Sequence, residues 1–358
     1  MMGATIRNLA VLIALLGLTQ LAFAQRSPPG TLLPPGDFST NGSQIVSSDG
    51  HPVRLACVGW NQIYEGIPLL RQTTMMVADG FNCIRLSWVN ATMKHDLEVI
   101  DRIVAAAGKV GLRLVLANHA NEPGRVERDA LGAQQKNGLW YDLGGASDGT
   151  DGGGNRGTTT DARFLADWEA VARHYAGNHT VIAYDLRNEP LNYLNMSVWG
   201  DGSDRDIRAM YIRVGNAIQA IVTLDVPDKL VYSVHEFPGE ISGQKVSSGP
   251  ALIERMDAMW GWLINEDLAP VFVGAMGSSM TTEESKAWAA TIVPYLNGGS
   301  LVALQIPAGG QGVSTGWWAW GYLPGQNPDG TLESNWNTAR PEQKAVYSQL
   351  RQRQLPDQ

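Results

Sequence analysis

The chain has 358 residues, enough for one large domain with a closed core. Hydrophobic residues make up 44% and charged residues 17%, which excludes a disordered chain. A formal net charge of -8 without any basic block makes nucleic acids and anionic membranes poor partners, whereas a neutral polymer is indifferent to it.

In chain order, the first feature is a leader. Arg7 precedes an apolar run over 9–24 that closes on Ala22-Phe23-Ala24. A basic start, a short apolar stretch and a small-residue site describe a secretory signal peptide rather than a membrane span. Residues 1–24 are therefore expected to be removed, giving a secreted protein, extracellular or periplasmic, with no membrane attachment afterwards. Residues 25–43, rich in Pro, Gly and Ser, read as an N-terminal arm, and 44–352 as the folded domain.

From there, apolar runs at 55–60, 82–88, 112–118, 181–187, 230–235, 271–274 and 316–320 alternate with amphipathic segments. The segments are 67–79, 96–110, 162–175, 207–222, 251–266 and 283–296. This alternation predicts an α/β fold with a parallel sheet of strands apolar on both faces. The length suits a (β/α) barrel of the triosephosphate-isomerase type. Polar and aromatic residues gather at the C-terminal ends of the runs, where such barrels place their sites: Arg85, His119, Asn188, Glu189, His235 and Trp318. No Gly-rich phosphate loop follows the first run, which argues against an open dinucleotide-binding sheet. Only seven strands can be recognised. The segment ending near Val222 runs almost directly into the His235 strand, with no room for another strand and helix.

Cys57 and Cys83 both lie inside apolar runs, where cysteine is often a small buried hydrophobe. Export permits a bridge. The reading leans to two buried thiols. No Cys/His spacing marks a metal site, and no metal or cofactor is expected. Asp148 and Asp151 in a Gly-rich loop read as a solvated turn.

The strongest motif is Val181-Ile182-Ala183-Tyr184-Asp185-Leu186-Arg187-Asn188-Glu189-Pro190. A strand carries a Glu to the rim, with an Asn beside it and a Pro ending it. Glycosidic cleavage needs a carboxylic acid to protonate the leaving oxygen, and an adjacent amide can bind a sugar hydroxyl. The 12 Trp supply flat rings of the kind that stack on pyranoses, although most are expected in the core.

With these residues in place, the chain resembles glycoside hydrolase family 5, in particular its bacterial β-1,4-endoglucanases. Phe81-Asn82-Cys83-Ile84-Arg85-Leu86, Leu116-Ala117-Asn118-His119, Gly138-Leu139-Trp140-Tyr141 and Leu230-Val231-Tyr232-Ser233-Val234-His235 follow the family's order. So do Trp317-Trp318-Ala319-Trp320 and Asn327-Pro328-Asp329-Gly330. The resemblance implies Glu189 as acid/base, with Arg85, His119, Asn188 and His235 at the substrate site. It implies a Trp platform at Trp318, with Trp320 the alternative, and a β-linked polysaccharide or oligosaccharide as partner of a monomer.

Three departures qualify that expectation. Where the family has its nucleophilic Glu, Pro270-Val271-Phe272-Val273-Gly274-Ala275-Met276-Gly277 places Ala275. Where it has a Tyr contacting that Glu, this chain has Phe237. The family's fifth strand is missing. A Tyr hydroxyl left without its carboxylate would cost about 1–3 kcal/mol if buried, so the first two changes are compatible with one another. Glu122 and Glu240 on rim loops are candidate replacements, whereas Glu236 should face away from the site. Two functions remain open: a β-glucan hydrolase of weakened or lost activity, and a non-catalytic carbohydrate-binding pseudoenzyme on the same barrel. A relic that folds poorly is the third reading.

Overall fold

The computed structural model describes residues 32–60, 66–122, 135, 137–144, 157–190, 196–222, 229–298, 304–321 and 330–352. The leader, the Asp148/Asp151 loop and Asn327-Pro328-Asp329 lie outside the described residues.

The arm is more ordered than its composition suggests. Strands β1 (Phe38–Asn41), β2 (Gln44–Ser47) and β3 (Pro52–Val53) form a three-stranded antiparallel sheet. Asn41 pairs with Gln44, so Gly42 and Ser43 make a two-residue turn. Gly42 has φ 54°, the positive φ that Gly supplies at the first central position of a two-residue hairpin turn. Leu33, Ile45 and Val53 pack against Leu55, Cys57, Val115 and Phe272 and close one end of the barrel.

The main sheet contains β4 (Ala56–Trp60), β5 (Cys83–Val89), β6 (Arg113–Ala120), β7 (Val181–Asp185), β8 (Tyr232–Glu236), β9 (Val271–Met276) and β10 (Ser314–Trp317). All are parallel, in the order β7-β6-β5-β4-β10-β9-β8. The sheet curls into an incomplete barrel whose two edges are β7 and β8. That gap falls where the sequence lacks a strand. The last strand begins and ends earlier than expected, at Ser314 and Trp317.

Helices α1 (Leu69–Ala78), α2 (Met93–Lys109), α3 (Asp161–Tyr175), α4 (Ile207–Ile221), α5 (Gly239–Ser242), α6 (Gly249–Met256), α7 (Trp262–Asn265), α8 (Glu283–Leu296) and α9 (Pro341–Tyr347) accompany the sheet. A π-helical turn, Asp257–Gly261, joins α6 to α7. One core lies between strands and helices, with Val58, Ile84, Leu114 and Val273 facing outward onto Ile103, Trp168, Val214 and Ile292. Residues inside the barrel come from the alternate positions.

Two glycines let strands approach closely. A Cβ on Gly59 would lie 2.0 Å from the Trp318 carbonyl oxygen, and one on Gly274 would lie 2.6 Å from Ser233 Oγ. Cys57 and Cys83 sit opposite each other in the β4/β5 ladder, with their Cα atoms 4.3 Å apart, and form a disulfide. The expectation of free thiols is therefore corrected. Strand register, which the separate runs do not reveal, brings the two together.

Candidate active site

The site is built at the C-terminal ends of β5–β10. Arg85, on the inner face of β5, is 2% exposed and faces Asp185 of β7, with Nη2 at 2.8 Å and Nε at 2.9 Å from Oδ2. The same guanidinium donates to Asn188 Oδ1 at 3.1 Å. Ser233 of β8 donates to Asp185 Oδ2 across the open side of the barrel at 3.3 Å. Removing Asp185 would leave a buried guanidinium short of its main partner, a strongly unfavourable change.

β7 ends in a tightly held turn. The Asn188 amide donates to the Asn118 carbonyl at 2.8 Å. Arg187 is buried; it donates to Asn118 Oδ1 and to the Leu139 carbonyl, each at 2.6 Å, and lies 5.8 Å over the Phe164 ring. Asn118 in turn donates to Asn90, and Asn90 to Asp167 of α3. The next residue, Glu189, takes a left-handed backbone with φ 39°. Non-glycine residues with such φ collect at functional sites, where the surroundings hold the strain.

Glu189 Oε1 is 2.6 Å from His235 Nδ1. Burial pushes the Glu189 carboxyl up. The His235 hydrogen bond and the positive charge of His235, His119 and Arg85 outweigh burial and hold it below the ordinary Glu value. At neutral pH Glu189 is therefore ionised.

Ala275 stands directly opposite His235 in the β8/β9 ladder. β9 carries one extra residue here: Val273 to Ala275 spans Val234 to His235, and Val273 to Met276 spans Thr315 to Trp317. Such bulges re-aim side chains beside active sites. This one puts Gly274 and Ala275 together between outward-facing Val273 and Met276. Ala275 is 1% exposed, so its methyl is covered.

Trp318 is half-buried, 6.4 Å from the His119 ring and 6.0 Å from Phe237, which meets it edge-on. Phe237 is itself 6.5 Å from His235. The described residues thus bring Arg85, His119, Asn188, Glu189, His235, Ala275 and Trp318 to one end of the barrel. Trp320 is a correction: it is 1% exposed, packed edge-on to Phe81, and offers no ring face to a ligand.

The other acidic candidates are held elsewhere. Glu236 is buried on the outer side against Arg255, as strand alternation requires. Glu240 accepts from Ser278 Oγ at 2.5 Å and from Thr282. Glu122 is pushed up to about 8, by burial first, then by the charge of Asp142 and a hydrogen bond with it. Sequence reasoning missed Asp185 and Arg187 as members of this network. The available signal was charge inside an otherwise apolar run, with Asp185 opposite in sign to Arg85.

A family model described as cellulase (glycosyl hydrolase family 5) matches residues 46–223. The "Endoglucanase" of Paenibacillus polymyxa is 24% identical over 337 residues, covering 74% of this chain and 78% of that protein. Among solved structures, the catalytic domain of the major endoglucanase from Xanthomonas campestris pv. campestris is 20% identical, with TM-score 0.68. It covers 87% of this chain and 99% of that one. A cellotetraose complex of the endocellulase from Pyrococcus horikoshii is 18% identical, with TM-score 0.69, covering 89% of this chain and 100% of that one. The solved structures share the fold of the curled parallel sheet, and residues 46–223 of this chain are similar to glycosyl hydrolase family 5, as the endoglucanase relative is to the chain at large.

Proposed function

We propose that the chain is an exported member of this family that takes a β-linked glucan across the C-terminal end of the barrel, with Glu189 as the acid/base and Ala275 in the place of the nucleophile. The observation that carries the reading is the Glu189–His235 pair at 2.6 Å, facing Ala275 in the neighbouring strand beside the half-buried Trp318. The cellotetraose bound to a structural relative and the endoglucanase relative support a β-glucan as the ligand. The extracellular endoglucanase of Xanthomonas supports export.

Retaining hydrolysis uses two carboxyl groups about 5–5.5 Å apart, one of which bonds to the sugar. Ala275 has no group to form that bond. An ionised Glu189 also lacks the proton it would give to the leaving oxygen, and the usual neighbour that keeps such an acid protonated is gone. Hydrolysis of β-glucosidic bonds is therefore slow, while the ligand-binding groups remain.

The test is hydrolysis of an aryl β-cellobioside. Ala275→Glu is expected to raise turnover about 1,000-fold or more. Azide is expected to rescue the unmodified chain and yield an inverted glycosyl azide. Wild-type turnover matching that of Ala275→Glu would refute the nucleophile assignment. Failure to bind cellotetraose would refute the glucan site itself.

A further inference from the structure

We propose, resting on the glucan-site reading above, that the same site transfers a glycosyl group from an α-configured donor with a small anionic leaving group to a hydroxyl of a β-glucan acceptor.

A retaining cycle has two halves. In the first, a nucleophile displaces a β-linked group and leaves the sugar attached on its α face. In the second, a base on the β face deprotonates an incoming hydroxyl, which attacks the anomeric carbon as the α-bond breaks. Ala275 abolishes the first half. The second half requires a β-face base and an α-bond that is ready to break. A donor that arrives with its leaving group already on the α face supplies that bond.

The remaining groups suit this second half. Glu189 is a carboxylate held in one orientation by His235 Nδ1 at 2.6 Å and by the strained turn at the end of β7. It is ionised, the state a base needs. On the β9 side, the leaving anion meets no competing carboxylate at position 275. The Arg85 guanidinium, paired with Asp185, stands close by: a Cβ on Gly274, next to Ala275, would lie 3.5 Å from Arg85 Nε. Phe237 offers no hydroxyl to compete with the acceptor.

The step balances without any further reactant. The acceptor O–H gives its proton to Glu189, and the oxygen lone pair forms the new bond to the anomeric carbon. The electrons of the carbon–leaving-group bond depart with the leaving anion, and Glu189 then returns the proton to water. Configuration inverts from α to β. The product carries one more β-linkage and persists, because the chain lacks the nucleophile that would cleave it.

The test incubates the mature chain with α-cellobiosyl fluoride as donor and an aryl β-cellobioside as acceptor. The expected result is fluoride release with accumulation of an aryl β-linked tetrasaccharide, identified by mass and anomeric coupling. Glu189→Gln should slow the transfer about 100-fold or more while still binding cellotetraose, read by tryptophan fluorescence. In Ala275→Glu, transfer product should no longer accumulate and hydrolysis should appear. Fluoride release at the uncatalysed rate, or release of cellobiose with no tetrasaccharide, overturns the transfer proposal while cellotetraose binding leaves the glucan site standing. Loss of both transfer and cellotetraose binding overturns the two together.

Discussion

Glu189 and Glu122 show one barrel moving two carboxyls in opposite directions. For Glu189, burial is outweighed by His235, His119 and Arg85, so its value is lowered. A lowered carboxylate adds stability above its unfolded value, and that stability is lost as pH falls through the folded value. His235→Ala should remove the main counterweight and move the Glu189 carboxyl upward, followed by NMR of its side-chain carbon; no movement would show that His235 does not hold the charge. Glu122 is the reverse case. With burial and Asp142 raising it to about 8 from 4.5, its folded state favours the proton. Its contribution is complete below about 4.5 and is lost as pH rises toward 8. Glu122→Gln should therefore flatten the fall in melting temperature between pH 5 and 8, and an unchanged slope would reject the assignment. Neither behaviour is legible in sequence, because both depend on neighbours distant along the chain. What was legible is the identity of the rim residues, since strand ends announce themselves locally.

The elements were legible where periodicity is strong. The runs around Arg85, His119 and Glu189 became β5, β6 and β7, and the segment 283–296 became α8 with those bounds. Short elements escaped. β1 and β2 are four residues each, too short for a period-2 pattern, and only the two-residue turn Gly42-Ser43 separates them. The π-turn between α6 and α7 interrupts what reads as one amphipathic helix. Pairings between strands also escaped, and the disulfide with them. It clips β4 to β5 across 26 residues, and the chain-entropy model assigns a loop of that size about 3.5 kcal/mol. Replacing both Cys57 and Cys83 by Ala should lower the unfolding free energy by roughly that amount in urea without moving the site residues. A change under about 1 kcal/mol would mean that the register of β4 and β5 is fixed without the covalent link.

On the scale of the whole molecule, the open side of the barrel sets the stability pattern. β7 and β8 share no backbone hydrogen bond among the described residues, and Ser233 Oγ of β8 reaches across to Asp185 Oδ2 of β7. On the helix side, Leu230 is 62% exposed and Tyr232 36%, and among the described residues no helix lies between α4 and β8 along the chain. The far end of the opening is strapped by the arm. Asp37 meets His179 just before β7 at 2.9 Å, Lys229 just before β8 donates to the Phe38 carbonyl, and Phe38, Ile182, Ala183 and Val231 all pack against the same buried apolar cluster. Exposed ion pairs are worth little by themselves. The apolar contact and the β1 backbone give the strap its strength. Unpaired edges open at lower free energy than central strands, so amides of β7 and β8 should exchange with solvent faster than those of β4, β5 and β6. Deleting the chain through Asn41 removes the strap and also bares β2. If the arm closes the gap, the deletion should speed exchange in β7 and β8 far more than in β5, which is flanked by strands on both sides. Equal acceleration in all strands would mean that the arm supports the barrel as a whole, and that the seam is held from within by Arg85, Asp185 and Ser233.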